Sequence, residues 1–430
     1  MEPSQTDYQA RFQRNPLTIY EAQHALIHRI NSESVEVIPL EQAYMRRTAQ
    51  AIRANMPVPH FQRSMMDGFA VKAEDTRNVK QDIAAQLQVV GSIACGDVWK
   101  RPVETGEAVR IMTGAQLPEG ADAVIKLEAT SDLQRRTTGQ SVDDRILVHQ
   151  AVSIGENVNA IGTEMVEGQL LIEKGSRLEA GEMALLAMFG YEYVHVYTKP
   201  RVAIISTGHE LLSISADIEA GKIRNSNSYM LLAQIQEAGG TPYLLPHVAD
   251  DQHQLTQLLQ EALQEYDAVI TTGGVSVGDH DILYDFTQNW DGELLFNKVQ
   301  MRPGSPSTVG FLHGKPLFAL SGNPSACFVG CEMFVRPALL RMQGVSEPYR
   351  TPLRGKLEES YHVSDTFVRF VRGVMRTQED GAVVVRPAGV DMSSATISIM
   401  KANCLFVVLP SPSGLKKGTI VDIVPLRLFN

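Results

Sequence analysis

The sequence predicts a multidomain chain of α/β and β class. Its parts are a central α/β domain on a parallel sheet, a mixed N-terminal region with a β-rich insertion, and a small C-terminal β-barrel. Three observations lead there. At 430 residues the chain exceeds one ordinary core, and about three domains is the starting expectation. Between Val202 and Gly344, apolar runs that end in glycine alternate with helical stripes. After Tyr349-Arg350-Thr351-Pro352 the pattern changes to short apolar runs punctuated by Gly and Pro, as in small barrels.

Taken in order, a helix is expected around Ile19–Ile30, followed by turn-rich β sequence. Asp67-Gly68 between apolar residues reads as a hairpin turn. Val109–Gly114 and Ala123–Glu128 read as strands paired around the turn Pro118-Glu119-Gly120. Val202–Ser206 opens the α/β region. Asn225-Ser226-Asn227-Ser228 suits a helix start, with Leu231, Leu232, Ile235 and Ala238 on one face and Gly239-Gly240 as the stop. A second helix from about Asp251 carries the stripe Leu255, Leu258, Leu259, Ala262 and Leu263 and leads into the strand at Ala268. Strand-helix alternation of this kind builds a parallel sheet with right-handed crossovers. Phe367–Gly373 and Leu405–Pro410 are barrel strands.

Composition narrows the function. With 44% hydrophobic and 20% charged residues the chain is globular. A net charge of −10 argues against a nucleic-acid binder and requires any anionic ligand to find a locally basic pocket. The four cysteines show no CxxC pairing, and Cys327 and Cys331 read as small apolar residues one turn apart in a buried helix. That usage fits a reducing cytosol. No apolar run approaches the ~18 residues of a membrane span, and the polar start Met1-Glu2-Pro3-Ser4-Gln5 does not read as a signal peptide.

The chemistry concentrates in three strand-to-glycine turns: Ile204-Ile205-Ser206-Thr207-Gly208-His209-Glu210, Ile270-Thr271-Thr272-Gly273-Gly274-Val275-Ser276-Val277-Gly278-Asp279-His280-Asp281, and Ala319-Leu320-Ser321-Gly322-Asn323-Pro324. Glycine lets backbone N–H groups approach a phosphate, and ligands of parallel sheets sit at the strand carboxyl ends. One phosphate-rich ligand is expected there. Asp279 and Asp281 suit Mg2+, a hard ion that shares oxygen ligands with phosphates. They equally suit capping of a helix starting near Ile282. Glu210 suits Mg2+ or water activation, or a first-turn position favoured by the helix dipole. Lys298 and Arg302 suit anion binding or a solvated surface. No GxGxxG or Walker A pattern is present.

Together these segments resemble the molybdopterin molybdenumtransferases of the MoeA type, related to the C-terminal domain of gephyrin. Met66-Asp67-Gly68-Phe69-Ala70 matches that family's MDGYA, and Met112-Thr113-Gly114-Ala115 its MTGA. Ser206-Thr207-Gly208-His209-Glu210-Leu211 resembles STGDEL, Gly273–Gly278 matches GGVSVG, and Ser321-Gly322-Asn323-Pro324 fits the SGNP turn. The five motifs fall in family order over nearly the whole chain. The resemblance implies insertion of molybdate into adenylylated molybdopterin, with Mg2+-assisted release of AMP. It also implies an elongated homodimer of four-domain subunits. The implied boundaries are 1–52 with 150–198, an inserted 53–149, a molybdopterin-binding 199–345 and a C-terminal 346–430.

Residue by residue, the resemblance assigns chemistry to Asp67, Thr113, Glu210, Asp281, Lys298 and Arg302, and metal binding to Glu210, Asp279 and Asp281. It assigns ligand binding to Ser206, Thr207, Gly208, Asp250, Gly273, Gly274, Ser276, Gly278, Pro303, Gly304, Ser321, Gly322, Asn323 and Pro324. Arg369 and Ser394 are the C-terminal domain's implied contributions. Asp67 and Thr113 would complete the site of the other subunit. His209, Asn225, Glu164 and Ser305 stand where the family often has Asp, Asp, Asp and Lys, which bears on the metal ligands and the molybdate cradle. Implied partners are the molybdopterin adenylyltransferase and apo-molybdoenzymes. Two other readings compete: the adenylyltransferase itself, which shares the sheet domain, and a non-catalytic molybdopterin carrier or scaffold.

Overall fold

The computed structural model describes residues 16–31, 34–132, 144–248, 251–273 and 290–427. They form two compact units, one from residues 51–173 and 184–192, the other from the remainder. No helix among the described residues is long and apolar enough to cross a membrane.

Helix α1 (Ile19–Arg29) starts in a capping box, with the Thr18 hydroxyl accepting from the Glu21 N–H and the Glu21 carboxylate accepting from the Thr18 N–H. It buries Ala22 and Leu26 in the core of the second unit.

The first unit is organised by β1 (Gly68–Val71), β2 (Ala85–Ile93), β3 (Glu107–Ile111), β4 (Ala123–Lys126) and β5 (Arg145–Val148), in the order β4-β1-β3-β2-β5. Only β2 and β3 run parallel. Two sequence expectations fail here. β3 and β4 do not pair around Pro118-Glu119-Gly120, because β1 lies between them and places Phe69 opposite both Arg110 and Ile125. All four residues of β1 are buried, so its backbone needs a partner on each edge. Nor is Asp67-Gly68 a hairpin turn. Gly68 opens β1, where a Cβ would stand 1.9 Å from the Ile125 carbonyl oxygen; the glycine serves a close backbone approach.

The second unit holds a six-stranded sheet. It is built from β6 (Arg201–Ser206), α2 (Asn227–Glu237), β7 (Thr241–Leu244), α3 (Gln252–Glu265), β8 (Ala268–Thr272), β9 (Glu293–Phe296), then β10 (Met301–Arg302), which lies outside this sheet, β11 (Thr308–Leu312) and β12 (Lys315–Leu320). The strand order is β7-β6-β8-β12-β11-β9. The first four strands are parallel, as the alternation predicts, while β11 and β9 extend the sheet antiparallel. Alternate residues of β6 feed opposite faces. Val202 and Ile204 pack with Leu231 and Ile235 of α2, and Ala203 and Ile205 pack with Leu255 and Leu259 of α3. Burial on both faces explains why these strands read as unbroken apolar runs. The predicted helices α2 and α3 both form, and Asp251 caps α3 through the His253 and Gln254 N–H groups. Asn225, rather than the N-cap Ser226, caps α2 by accepting from the Ser228 N–H.

After β12 the chain forms α4 (Pro324–Gly330), a π turn at Cys331–Val335 and α5 (Arg336–Met342). Then β13 (Leu353–Leu357), β14 (Val368–Thr377), β15 (Val383–Pro387), β16 (Cys404–Val408) and β17 (Ile420–Pro425) close a five-stranded barrel through the pairing of β14 with β16. Strand β10 joins the barrel edge, parallel to β14, with Arg302 in register with Arg369. This short pairing is one of several contacts between the α/β domain and the barrel, beside the bonds of Ser325 to Met392, Ser393 and Ala395.

Candidate functional site

Parallel register sets the ends of β6, β8 and β12 level, with Ser206 opposite Thr272 and Thr272 opposite Leu320. The glycine turns therefore meet. The Thr207 N–H donates to the Thr272 carbonyl at 3.0 Å, and the Gly273 N–H to the Leu320 carbonyl at 3.2 Å. Gly273 has φ +96°, and a Cβ there would lie 2.3 Å from the Thr207 carbonyl oxygen, so only glycine holds this position without strain. Asn227 ties two turns together: its Nδ2 donates to Thr272 Oγ1 and to the Gly322 carbonyl, each at 2.8 Å. Its Oδ1 and the Thr207 hydroxyl are buried without a partner among the described residues. Ser206 Oγ accepts from Asn225 Nδ2 at 2.9 Å. The Glu210 carboxylate folds back over Gly208.

Beside these turns a cleft of about 350 Å³ is lined by Arg302, Pro303, Gly304 and Ser305, by Ser321 and Asn323, and by Arg369, Asp391 and Ser393 of the barrel. Its two arginines differ. Arg302 is 52% exposed and lies 3.9 Å from Asp365, with its guanidinium 5.6 Å from the Phe367 ring centroid. Arg369 is 17% exposed and bonded on both sides, to Asp365 at 2.7 Å and to Asp391 at 2.9 Å. Asp391 also accepts from Arg372 at 2.9 Å and from the Tyr361 hydroxyl. Burial opposes the charge of Arg369, but Tyr361, Asp391 and Asp365 outweigh it and hold the guanidinium above its ordinary value. Burial, then the bond to Asp391, pushes the Tyr361 hydroxyl up, so it stays a donor. The network fixes Arg369 and leaves the outer edge of Arg302 to solvent. Such a cleft suits a small oxyanion, because a planar guanidinium matches paired oxygens.

Other expected residues fall elsewhere. Lys298 is half-buried, and its carbonyl accepts from the Leu17 N–H; it does not line the cleft. Ser305 lines it, but its hydroxyl is turned to the Val299 carbonyl at 2.8 Å. Ser394 is exposed, and the neighbouring Ser393 takes the lining position. Pro324 opens α4 and Gly322 supplies a carbonyl to Asn227. In the first unit, Asp67 Oδ1 accepts from both the Thr113 N–H at 2.7 Å and the Thr113 hydroxyl at 2.9 Å. Those two bonds, N–H first, hold the Asp67 carboxyl below its ordinary value. Asp250, Gly274, Ser276, Gly278, Asp279 and Asp281 lie outside the described residues. Among the described residues no three His, Cys, Asp or Glu side chains gather as a metal site.

Asn227, Asp365, Asp391 and Ser393 were missed by the sequence reading. Asn227 had a signal, as one of two asparagines at a helix start beside a glycine turn. Asp391 had none, because its partners lie 19 to 30 positions away.

Residues 17–190 match the MoeA N-terminal region, domains I and II. Residues 203–341 match a probable molybdopterin binding domain, and 354–426 the MoeA C-terminal region, domain IV. The chain is 40% identical to a molybdopterin molybdenumtransferase of Staphylococcus aureus over 96% of each chain. It is also 40% identical to that of Bacillus subtilis, over 97% of this chain and 96% of the relative. A crystal structure of a molybdopterin biosynthesis MoeA protein from Pyrococcus horikosii superposes with a TM-score of 0.82 at 28% identity, covering 96% of this chain and all of that one. With its three regions matched in order and full-length relatives at this identity, the chain belongs to the MoeA family of molybdopterin molybdenumtransferases.

Proposed function

We propose that this chain inserts molybdenum from molybdate into adenylylated molybdopterin, releasing AMP with Mg2+ assistance. Family membership supports the chemistry. The observation that carries it to this chain is the register of Arg302 with Arg369 beside three converging glycine turns. Molybdate is a small dianion, and Arg302 offers it an open guanidinium edge while Arg369 is braced behind. The Thr207 and Gly273 N–H groups are taken within the sheet, so the hydroxyls of Thr207 and Ser321 would bind and orient the phosphates of the nucleotide. Glu210, Asp279 and Asp281 would supply carboxylate oxygens of the kind that suits Mg2+, whose charge would offset that developing on the leaving AMP. The reading includes a cytoplasmic homodimer in which Asp67 and Thr113 reach the other subunit's site, where the exposed Asp67 carboxylate organises the ligand. It also includes four domains per subunit and hand-over contacts with the adenylyltransferase and apo-molybdoenzymes.

The test is AMP release by the purified chain given adenylylated molybdopterin, Mg2+ and molybdate. Molybdate-dependent release is expected. Pterin binding without turnover would replace the reading with a carrier or scaffold, and synthesis of the adenylylated pterin from ATP would replace it with the adenylyltransferase. Arg302→Gln should raise the molybdate needed for half-maximal release roughly 10- to 100-fold, since a hydrogen bond to a charged group contributes about 1.5–3 kcal/mol. Asp281→Ala should keep pterin affinity yet lose about 10²-fold in release. Mixing Asp67→Ala and Asp281→Ala subunits should restore part of the activity, and no recovery after verified exchange would rule out shared sites.

A further inference from the structure

On the face of α1 turned away from the core, His24 and His28 stand one helical turn apart and exposed. Their Nε2 atoms are 2.9 Å apart, and the ring centroids 4.1 Å apart with the planes inclined at 56°. The backbone beneath them is anchored. Ala22 and Leu26 are fully buried on the opposite face, and Gln23 Nε2 donates to the Met333 carbonyl at 3.0 Å. Neither histidine lines the arginine cleft.

An imidazole nitrogen binds a divalent transition ion at about 2.0–2.1 Å. Two nitrogens at that distance from one ion, and 2.9 Å from each other, subtend roughly 90° at it. This is the cis angle of an octahedral or tetragonal ion; a tetrahedral ion would ask for a separation of roughly 3.3 Å. We propose that His24 and His28 form a bidentate site for a divalent ion of right-angled geometry, Ni2+ or Cu2+, with water completing its shell. Without metal, one Nε2–H is directed at the other ring. Binding requires both rings neutral with each Nε2 lone pair facing the ion and the ring proton on Nδ1. Protons therefore compete, and affinity falls on acidification. The bound ion clips one turn of α1, the helix that seats on the face of the α/β domain.

The experiment is calorimetric titration of the full-length, untagged, metal-free chain with Ni2+ at neutral pH, repeated with Cu2+ and Zn2+. One ion per chain is expected, tightest for Cu2+, then Ni2+, then Zn2+. His24→Ala and His28→Ala should each weaken Ni2+ roughly 10²-fold, because the second imidazole binds intramolecularly. Both side chains are exposed, so unchanged circular dichroism should accompany the loss. Absence of Ni2+ binding, binding that survives both substitutions, or Zn2+ binding more tightly than Ni2+ would overturn the proposal.

Discussion

Gly273→Ala should damage the α/β domain, while Gly322→Ala, one strand away, should not. At Gly273 the backbone sits at φ +96° and the new Cβ would fall 2.3 Å from the Thr207 carbonyl oxygen. A left-handed conformation costs an L-residue roughly 1–2 kcal/mol. The contact is with backbone in a sheet, which cannot rotate away, and overpacking of that kind adds about 1–3 kcal/mol. Stiffening of the unfolded chain returns about 0.4–1 kcal/mol, leaving a net loss of roughly 1–4.6 kcal/mol, about 3 at the middle of the ranges. At Gly322 the backbone lies outside the left-handed region and the Cβ would stand 3.5 Å from Gly273 Cα, an ordinary contact, so only the stiffening term remains. Thermal unfolding read by circular dichroism should then show Gly273→Ala lowered by about 5 °C or more, taking ~2–4 °C per kcal/mol for a domain of this size. Gly322→Ala should melt with the unaltered protein or slightly above it. Equal melting of all three proteins, or an equal fall for both variants, would refute the assignment of Gly273 as the conformationally required glycine.

Three further outcomes follow from the same structure. Of the four cysteines only Cys95 is exposed, and burial pushes the Cys327 and Cys404 thiols up to about 12; an aromatic disulfide reagent should titrate one thiol in the native chain and four in denaturant. Arg372→Met should destabilise the barrel by about 3 kcal/mol in urea unfolding, because breaking a buried ion pair leaves charge uncompensated, although Asp391 keeps Arg369; an unchanged midpoint would contradict the role of that pair. The Thr113 N–H and hydroxyl lower the pKa of Asp67, so the link they make is fully present above the ordinary aspartate value of 3.8 and is lost as pH falls through the lower folded value. The Thr113 amide resonance should titrate below 3.8, and Asp67→Asn should abolish that titration.

What the sequence determined by itself is local and periodic. The stripe Leu255, Leu259, Ala262 and Leu263 gave α3, because apolar residues at helical spacing bury only one way. The runs ending in Ser206, Thr272 and Leu320 gave parallel strands, because a strand covered on both faces has no polar side to show. Order within the set of glycine motifs was enough to point to the MoeA family. The tertiary structure decided what depends on residues far apart in the chain. Gly68 reads as a turn until β4 lies against it, and β3 and β4 read as a hairpin until β1 enters between them. Arg302 and Arg369 become neighbours only through the two-residue pairing of β10 with β14. Asp391 is an ordinary loop acid until barrel closure sets Arg369, Arg372 and Tyr361 around it. Hydrophobic periodicity records which face of an element is buried. Strand order, register and the pairing of buried charges are properties of the assembled core, and no local spacing encodes them.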